Sequence, residues 1–291
     1  MTTPDLGPHL VPVCYRHPDR ETYISCTRCD RPICPDCMTS ASVGFQCPEC
    51  VAAGAASVRQ PRTRLGARMP AKAYVSMGIV GLCVVLYGWE MLQGIDAVAQ
   101  NLAMFPAGIA VDNEYYRLFT SMFLHYSVLH IGFNMFVLWS LGPQLENIVG
   151  HVRFGVMYLL AGLGGSVASF WFSAPFVLSA GASGAIFGLM GAFVVVSRRL
   201  GADTRQVLGL IAVNVVIGFA VSNVDWRAHL GGLVTGAAVA AIIAYAPPRQ
   251  RTLVQIAGLV AVFAVLVLLT VLRDQLLTAQ LVTAGFGLTS A

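Results

Sequence analysis

Seven predominantly apolar runs, at 73–93, 120–141, 154–172, 177–197, 207–222, 228–246 and 252–272, make up most of the chain after residue 72. A bilayer has a hydrocarbon core of about 30 Å, which a helix crosses with about 20 mostly apolar residues. Runs of that length in such number exclude a water-soluble globule. Charged residues are only 11% of the chain, against about 25% in soluble domains. The expected fold is an all-α, polytopic membrane bundle. Turn-formers and charges mark its expected breaks: Gly142-Pro143, Ser173-Ala174-Pro175, Gly201-Ala202-Asp203, Ser222-Asn223 and Pro247-Pro248. A net charge of +4, thinly spread, argues against a nucleic-acid partner. No secretory leader is expected, because the first apolar run long enough begins near Ala73.

Basic residues orient the expected bundle. Taken alternately from the N-terminal side, one set of connections holds eleven Lys or Arg and the other holds three. Five of the eleven are Arg59, Arg62, Arg64, Arg68 and Lys72, just before the first run. The richer side is expected to be cytoplasmic, with the N-terminus inside and the C-terminus outside. The 94–119 connection then lies outside, and its apolar residues around Pro106 suggest partial embedding in the interface.

Before the collar, cysteines come in evenly spaced pairs: Cys14-x2-His17, Cys26-x2-Cys29, Cys34-x2-Cys37 and Cys47-x2-Cys50. A two-residue spacer lets both members of a pair reach one tetrahedral ion, and zinc takes four such ligands. Eight ligands make two closed sites, read as structural or partner-binding. Disulfides fit poorly, since seven cysteines leave an odd thiol and a cytosolic module faces reducing conditions. Pairing the first pair with the third, and the second with the fourth, gives a cross-braced module that resembles B-box or RING-like zinc fingers. Its partner would be a cytosolic protein. Cys83, inside an apolar run, reads as packing.

Polar residues inside a bilayer are few and default to functional suspects. His125, His130 and Asn134 fall in the second run, Ser183 early in the fourth, and His229 at the head of the sixth. All three runs enter from the same side. At 1.5 Å per residue, Ser183 is expected roughly 10 Å below the outer end of its helix, with His130 at similar depth. Hydrogen-bonded glue between helices is the plainer reading, but it does not explain convergence on one leaflet. Glycines supply a way for the helices to meet: Gly232, Gly236 and Ala240 on the His229 face, and Gly184, Gly188 and Gly191 beside Ser183.

A serine hydroxyl needs a base before it can attack, and a neutral His229 can serve and then protonate the leaving group. The resulting oxyanion needs preorganised donors; the Ser183 backbone N–H, His130 and Asn134 can supply them. Asp225, in the loop before His229, is the only acid nearby, so a Ser–His dyad is expected and not a triad. Gly181-Ala182-Ser183-Gly184 is not the soluble hydrolase elbow, since Ala185 stands at its last position.

Together these residues resemble the rhomboid family of intramembrane serine proteases over about 73–250. Gly181-Ala182-Ser183-Gly184 resembles its G-x-S-G nucleophile segment. His229-Leu230-Gly231-Gly232 with Gly236 resembles its histidine and following G-x-x-x-G. His125, His130 and Asn134 fit its H-x4-H-x3-N pattern, and Tyr116-Arg117 its W/Y-R element. One departure is Phe187, where many members carry a tyrosine packed on the histidine. The resemblance implies a six-helix core, with 252–272 as an additional C-terminal helix. It also implies cleavage of single-pass membrane proteins near the outer leaflet with no metal for catalysis, at small residues followed by helix-weakening ones.

The expected organisation is a flexible N-terminus at 1–12, the zinc module at 13–51 and a basic linker at 52–72. The core at 73–250, the seventh helix at 251–275 and a tail at 276–291 follow. A catalytically inactive client-binding relative is the main alternative; it predicts loss of Ser183 or His229, and both are present. A transporter would want intramembrane charges along a path, and Glu90 is the only acid within an expected span.

Overall fold

The computed structural model describes residues 11–58, 63, 65–67, 72–220 and 224–285, the side chains of 217–220 excepted. Arg59, Arg62, Arg64 and Arg68 of the collar and the Ser222-Asn223 break lie outside the described residues. The chain divides into two compact units, Met1–Pro61 and Arg62–Ala291.

The first unit has little regular structure. Strand β1 (Thr39–Ser40) pairs antiparallel with β2 (Phe45–Gln46), and a 3-10 turn at Pro35–Cys37 precedes them. Helix α1 (Pro48–Ser57) opens on Cys47, whose sulfur accepts the Cys50 N–H. The buried core is Ile33 with Cys14, Cys26, Cys34, Cys37 and Cys47. A core this small does not hold a fold without cross-links or metal.

The second unit is a helical bundle. Helix α2 (Tyr74–Gln93) is followed by three short helices, α3 (Ile95–Leu102), α4 (Pro106–Asp112) and α5 (Arg117–Thr120). The long helices α6 (Val128–Val149), α7 (His151–Phe172), α8 (Ser183–Leu200), α9 (Arg205–Ala220), α10 (Trp226–Tyr245) and α11 (Arg251–Thr283) complete it. Five of these helices are long and apolar enough to cross a membrane. The bent pair Arg117–Phe123 and Val128–Val149, inclined at 88°, supplies a sixth crossing if taken as one span. The protein is a multi-pass membrane protein. The fifth expected span, 207–222, corresponds to α9, which the described residues show as an apolar helix.

Several expected boundaries move. Gly142-Pro143 does not end α6, which continues to Val149 and stops at Gly150, φ 89°. Packing overrides the local break: a Cβ on Gly142 would lie 2.8 Å from the Ser76 side chain, so α2 is seated against that turn. Glu146 therefore lies inside a helix and is fully buried, which corrects the reading of Glu90 as the only acid within a span. Its carboxylate accepts the Val75 and Ser76 N–H groups at 3.0 and 2.8 Å, capping α2, and pairs with His151. Helix α11 runs to Thr283 where a tail was expected from 276, because Leu277 and Leu281 are buried in one cluster with Ile109 of α4.

Helices α7, α8 and α10 pack most closely. An added Cβ at Gly232 would sit 1.9 Å from the Gly184 carbonyl oxygen, and one at Gly236 would sit 2.1 Å from that of Gly188. The two glycine stripes face each other, and the backbones of α8 and α10 touch directly.

Candidate active site

Ser183 and His229 meet at the helix starts. In the tautomer protonated on Nδ1, the Ser183 hydroxyl donates to His229 Nε2 at 2.8 Å. Ser183 is the first residue of α8, not a residue two turns inside it. Residues 177–182 are apolar enough to pass for span, but their backbone bonds sideways. Ser179 and Met104 exchange N–H···O bonds at 2.8 and 3.0 Å, and the Gly181 N–H donates to the Ser121 carbonyl at 2.9 Å. Gly181 takes φ 147°, a conformation that side-chain-bearing residues avoid. The common layer of polar residues is thus made by the first turns of α6, α8 and α10 together.

His130 is in the first turn of α6, where its N–H donates to the Ser127 hydroxyl at 3.2 Å. Its Nε2 lies 2.8 Å from where a Gly181 Cβ would be, and that position is 3.4 Å from Ser183 Oγ. The ring therefore borders the segment that leads into Ser183. Asn134 donates from Nδ2 to the His130 carbonyl at 3.0 Å. His125 is fully buried behind His130, rings edge-on at 5.1 Å, and its backbone N–H donates to the Glu90 carboxylate at 3.0 Å. Phe187 stacks on His229, centroids 4.2 Å apart and planes 11° apart.

A cavity of about 1100 Å³ opens on this group, lined by Ser183, His229, His130 and Asn134 among others. Arg117 is not in its wall. It is a buried brace in the connection before α6, paired with Glu114 at 2.6 Å and donating to the Ala103 and Gln100 carbonyls at 2.9 Å each. The Arg117 guanidinium beside Glu114 holds that carboxyl below the usual carboxylate range.

The residue that sequence reading undervalued is Asp225. One oxygen accepts the Arg227 and Ala228 N–H groups, capping α10. The other accepts the Ser169 and Ser179 hydroxyls at 2.5 and 2.8 Å. An Asp immediately before a helical run is a legible cap signal; the serine partners carry none. Among the described residues, no carboxylate meets His229 Nδ1.

In the N-terminal unit the structure gathers Cys14, His17, Cys34 and Cys37 in one group and Cys26, Cys29, Cys47 and Cys50 in another. The ligand atoms of each lie within 4.8 Å of one another, and either group could hold a metal ion. His17 Nδ1 is 3.3 Å from Cys34 Sγ and 3.4 Å from Cys37 Sγ, and Cys29 Sγ is 3.8 Å from Cys47 Sγ. Zn–S bonds of about 2.3 Å give a tetrahedron with edges of about 3.8 Å. None of these cysteines is joined in a disulfide.

A multi-pass helical bundle holding a serine hydroxyl against an imidazole, at facing helix starts, defines a narrow class. A model of the rhomboid domain matches residues 112–246. Rhomboid protease GluP of Bacillus subtilis is 38% identical over 172 residues, 56% of this chain and 34% of that protein. RHOMBOID-like protein 6, mitochondrial, of Arabidopsis thaliana is 39% identical over 143 residues, 46% of each chain. YdcA of Bacillus subtilis, whose rhomboid-protease name is provisional, is 34% identical over 164 residues, 54% of this chain and 82% of its own length. This chain belongs to the rhomboid family. It spans a third to a half of the length of GluP and the Arabidopsis protein.

Proposed function

We propose that this chain is an intramembrane serine endopeptidase in which Ser183 attacks a peptide carbonyl and His229 is the general base. The observation that carries the reading is the 2.8 Å contact between Ser183 Oγ and His229 Nε2 on the wall of a large cavity. His229 takes the hydroxyl proton as Oγ bonds to the scissile carbonyl carbon. The negative charge then develops on the carbonyl oxygen. Its donors are the Ser183 N–H, which as the first helical residue of α8 has no intrahelical acceptor, together with His130 and Asn134. Collapse of the intermediate expels the amine, which receives the proton from His229; water repeats the sequence to release the acyl group. Phe187 holds the imidazole by stacking, and with no acid on Nδ1 the machinery is a dyad.

The substrates are single-pass membrane proteins cut near the outer leaflet. A helix hides its carbonyls in hydrogen bonds, so the cleaved segment has to unwind locally. The orientation is N-terminus cytoplasmic and C-terminus outside, from the basic-residue asymmetry. The N-terminal module holds two structural zinc ions, one per four-ligand group, and offers a surface to a cytosolic protein. Zinc supplies folding energy there and takes no part in peptide cleavage.

The test is a tagged single-pass substrate reconstituted in liposomes with the wild type, Ser183→Ala and His229→Ala. Loss of roughly 10⁴-fold or more is expected for each substitution. Cleavage by Ser183→Ala at the wild-type rate would end the protease reading.

A further inference from the structure

Asp225 stands four residues before His229, and Ser179 four residues before Ser183. Their side chains meet at 2.8 Å. The same Asp225 oxygen also accepts the Ser169 hydroxyl of α7 at 2.5 Å. The second oxygen is committed to the Arg227 and Ala228 N–H groups of α10 at 3.2 and 3.3 Å. One carboxylate thus joins three separate pieces of backbone: the end of α7, the non-helical segment that delivers the nucleophile, and the start of the helix that carries the base. The segment is held on its other side as well, by the backbone exchange between Ser179 and Met104.

We propose that Asp225 is a positioning residue for the Ser183–His229 pair, acting as a clamp through Ser169 and Ser179 and not as the acid of a triad. The inference rests on the protease reading. Four donors already occupy the carboxylate, and none is the His229 ring. Its effect on catalysis passes through where α10 and the 173–182 segment begin relative to each other. A displacement of about 1 Å in such a pair lowers the rate of the chemical step by about 10²-fold.

Two variants separate a clamp from a charge. Ser169→Ala with Ser179→Ala keeps the carboxylate and its cap on α10 but removes both hydroxyl partners. Asp225→Asn removes the charge but keeps an oxygen for the cap, and the serine hydroxyls can turn to meet its amide. For the clamp, the double serine variant loses about 10- to 100-fold in kcat with KM within about threefold. Asp225→Asn stays within about tenfold of the wild type, while Asp225→Ala falls with the serine pair or below it. Turnover is counted per folded molecule in the monodisperse fraction. Labelling of Ser183 by a fluorophosphonate, followed in the same variants, gives the comparison without a peptide substrate.

Wild-type kcat and labelling in the double serine variant overturn the clamp. So does a collapse of Asp225→Asn toward the roughly 10⁴-fold loss seen when a triad aspartate is replaced by asparagine. Ser183→Ala is carried through both measurements. If it cleaves or labels like the wild type, the protease reading fails; if it is silent and the serine pair is unaffected, the clamp alone fails.

Discussion

Phe187 lies flat against the imidazole of His229, one helix to the next, with ring centroids 4.2 Å apart. A stacked face fixes the plane of a ring but exerts no pull on its Nδ1 hydrogen. The histidine is therefore oriented by packing, where a triad would orient it with a carboxylate. Phe187→Ala should lower kcat by about 10- to 100-fold, because the imidazole gains rotamers that turn Nε2 away from Ser183. Phe187→Tyr keeps the ring and should stay close to the wild type. Steady-state cleavage of a membrane-embedded reporter decides it, and equal rates for Ala and wild type would remove the orienting role.

His130 and Asn134 differ in how free they are to serve an oxyanion. Asn134 already spends one N–H on the His130 carbonyl, whereas His130 borders Gly181 through Nε2. Losing one donor in a dry site lowers the rate by about 100- to 1000-fold. His130→Ala should fall in or beyond that range and Asn134→Ala at its mild end. Comparable kcat for His130→Ala and wild type, at equal expression, would show that the imidazole donates nothing to the reaction.

How far this site could be read from the chain alone depends on which physics wrote each part. Glycine spacing in α8 and α10 is a packing code, and the facing stripes follow from it. The start of α8 was not legible. Val177, Leu178 and Ala180 look like the top of a span, yet their segment is fixed by backbone bonds to Met104 and Ser121, residues more than fifty positions away in the sequence. The course of α6 past Pro143 had the same cause, a contact with α2 that hydropathy does not contain. Asp225 reads in the sequence only as the one acid near His229, because its partners are ordinary serines on other elements.

Gly236 tests the packing code directly. Its Cβ position lies 2.1 Å from the Gly188 oxygen and 2.4 Å from Gly188 Cα, so even alanine has no room. Gly236→Ala should destabilise the fold by the roughly 1–3 kcal/mol or more typical of overpacking, seen as a lower Tm in detergent, and reduce cleavage with it. Gly81, in α2, has nothing within 4 Å of its Cβ position, and Gly81→Ala should leave Tm unchanged. Equal Tm shifts in the two variants would show that direct contact of α8 and α10 is not what Gly236 provides.

For the N-terminal module, elemental analysis of the purified protein should return two zinc ions per chain. Cys34→Ser should lower the count to one while the Cys26, Cys29, Cys47 and Cys50 group keeps its ion. Chelation should expose residues 13–51 to limited proteolysis, because a module with so small an apolar core takes its folding energy from metal. Metal-free protein with an intact, protease-resistant module would contradict the zinc assignment.

The direct contact of the α8 and α10 backbones also sets what the site can do over time. Where two helices meet through side chains, rotamer changes let them slide or rock by fractions of an ångström. Gly232 and Gly236 leave no such cushion, since the opposing surface is the carbonyl ladder of α8 itself. The relative placement of Ser183 and His229 is then as stiff as peptide geometry, and insensitive to thermal rearrangement of side chains. On the proposed protease reading, whatever movement admits a polypeptide to the cavity has to occur in other parts of the bundle, so that entry and chemistry are mechanically separate degrees of freedom.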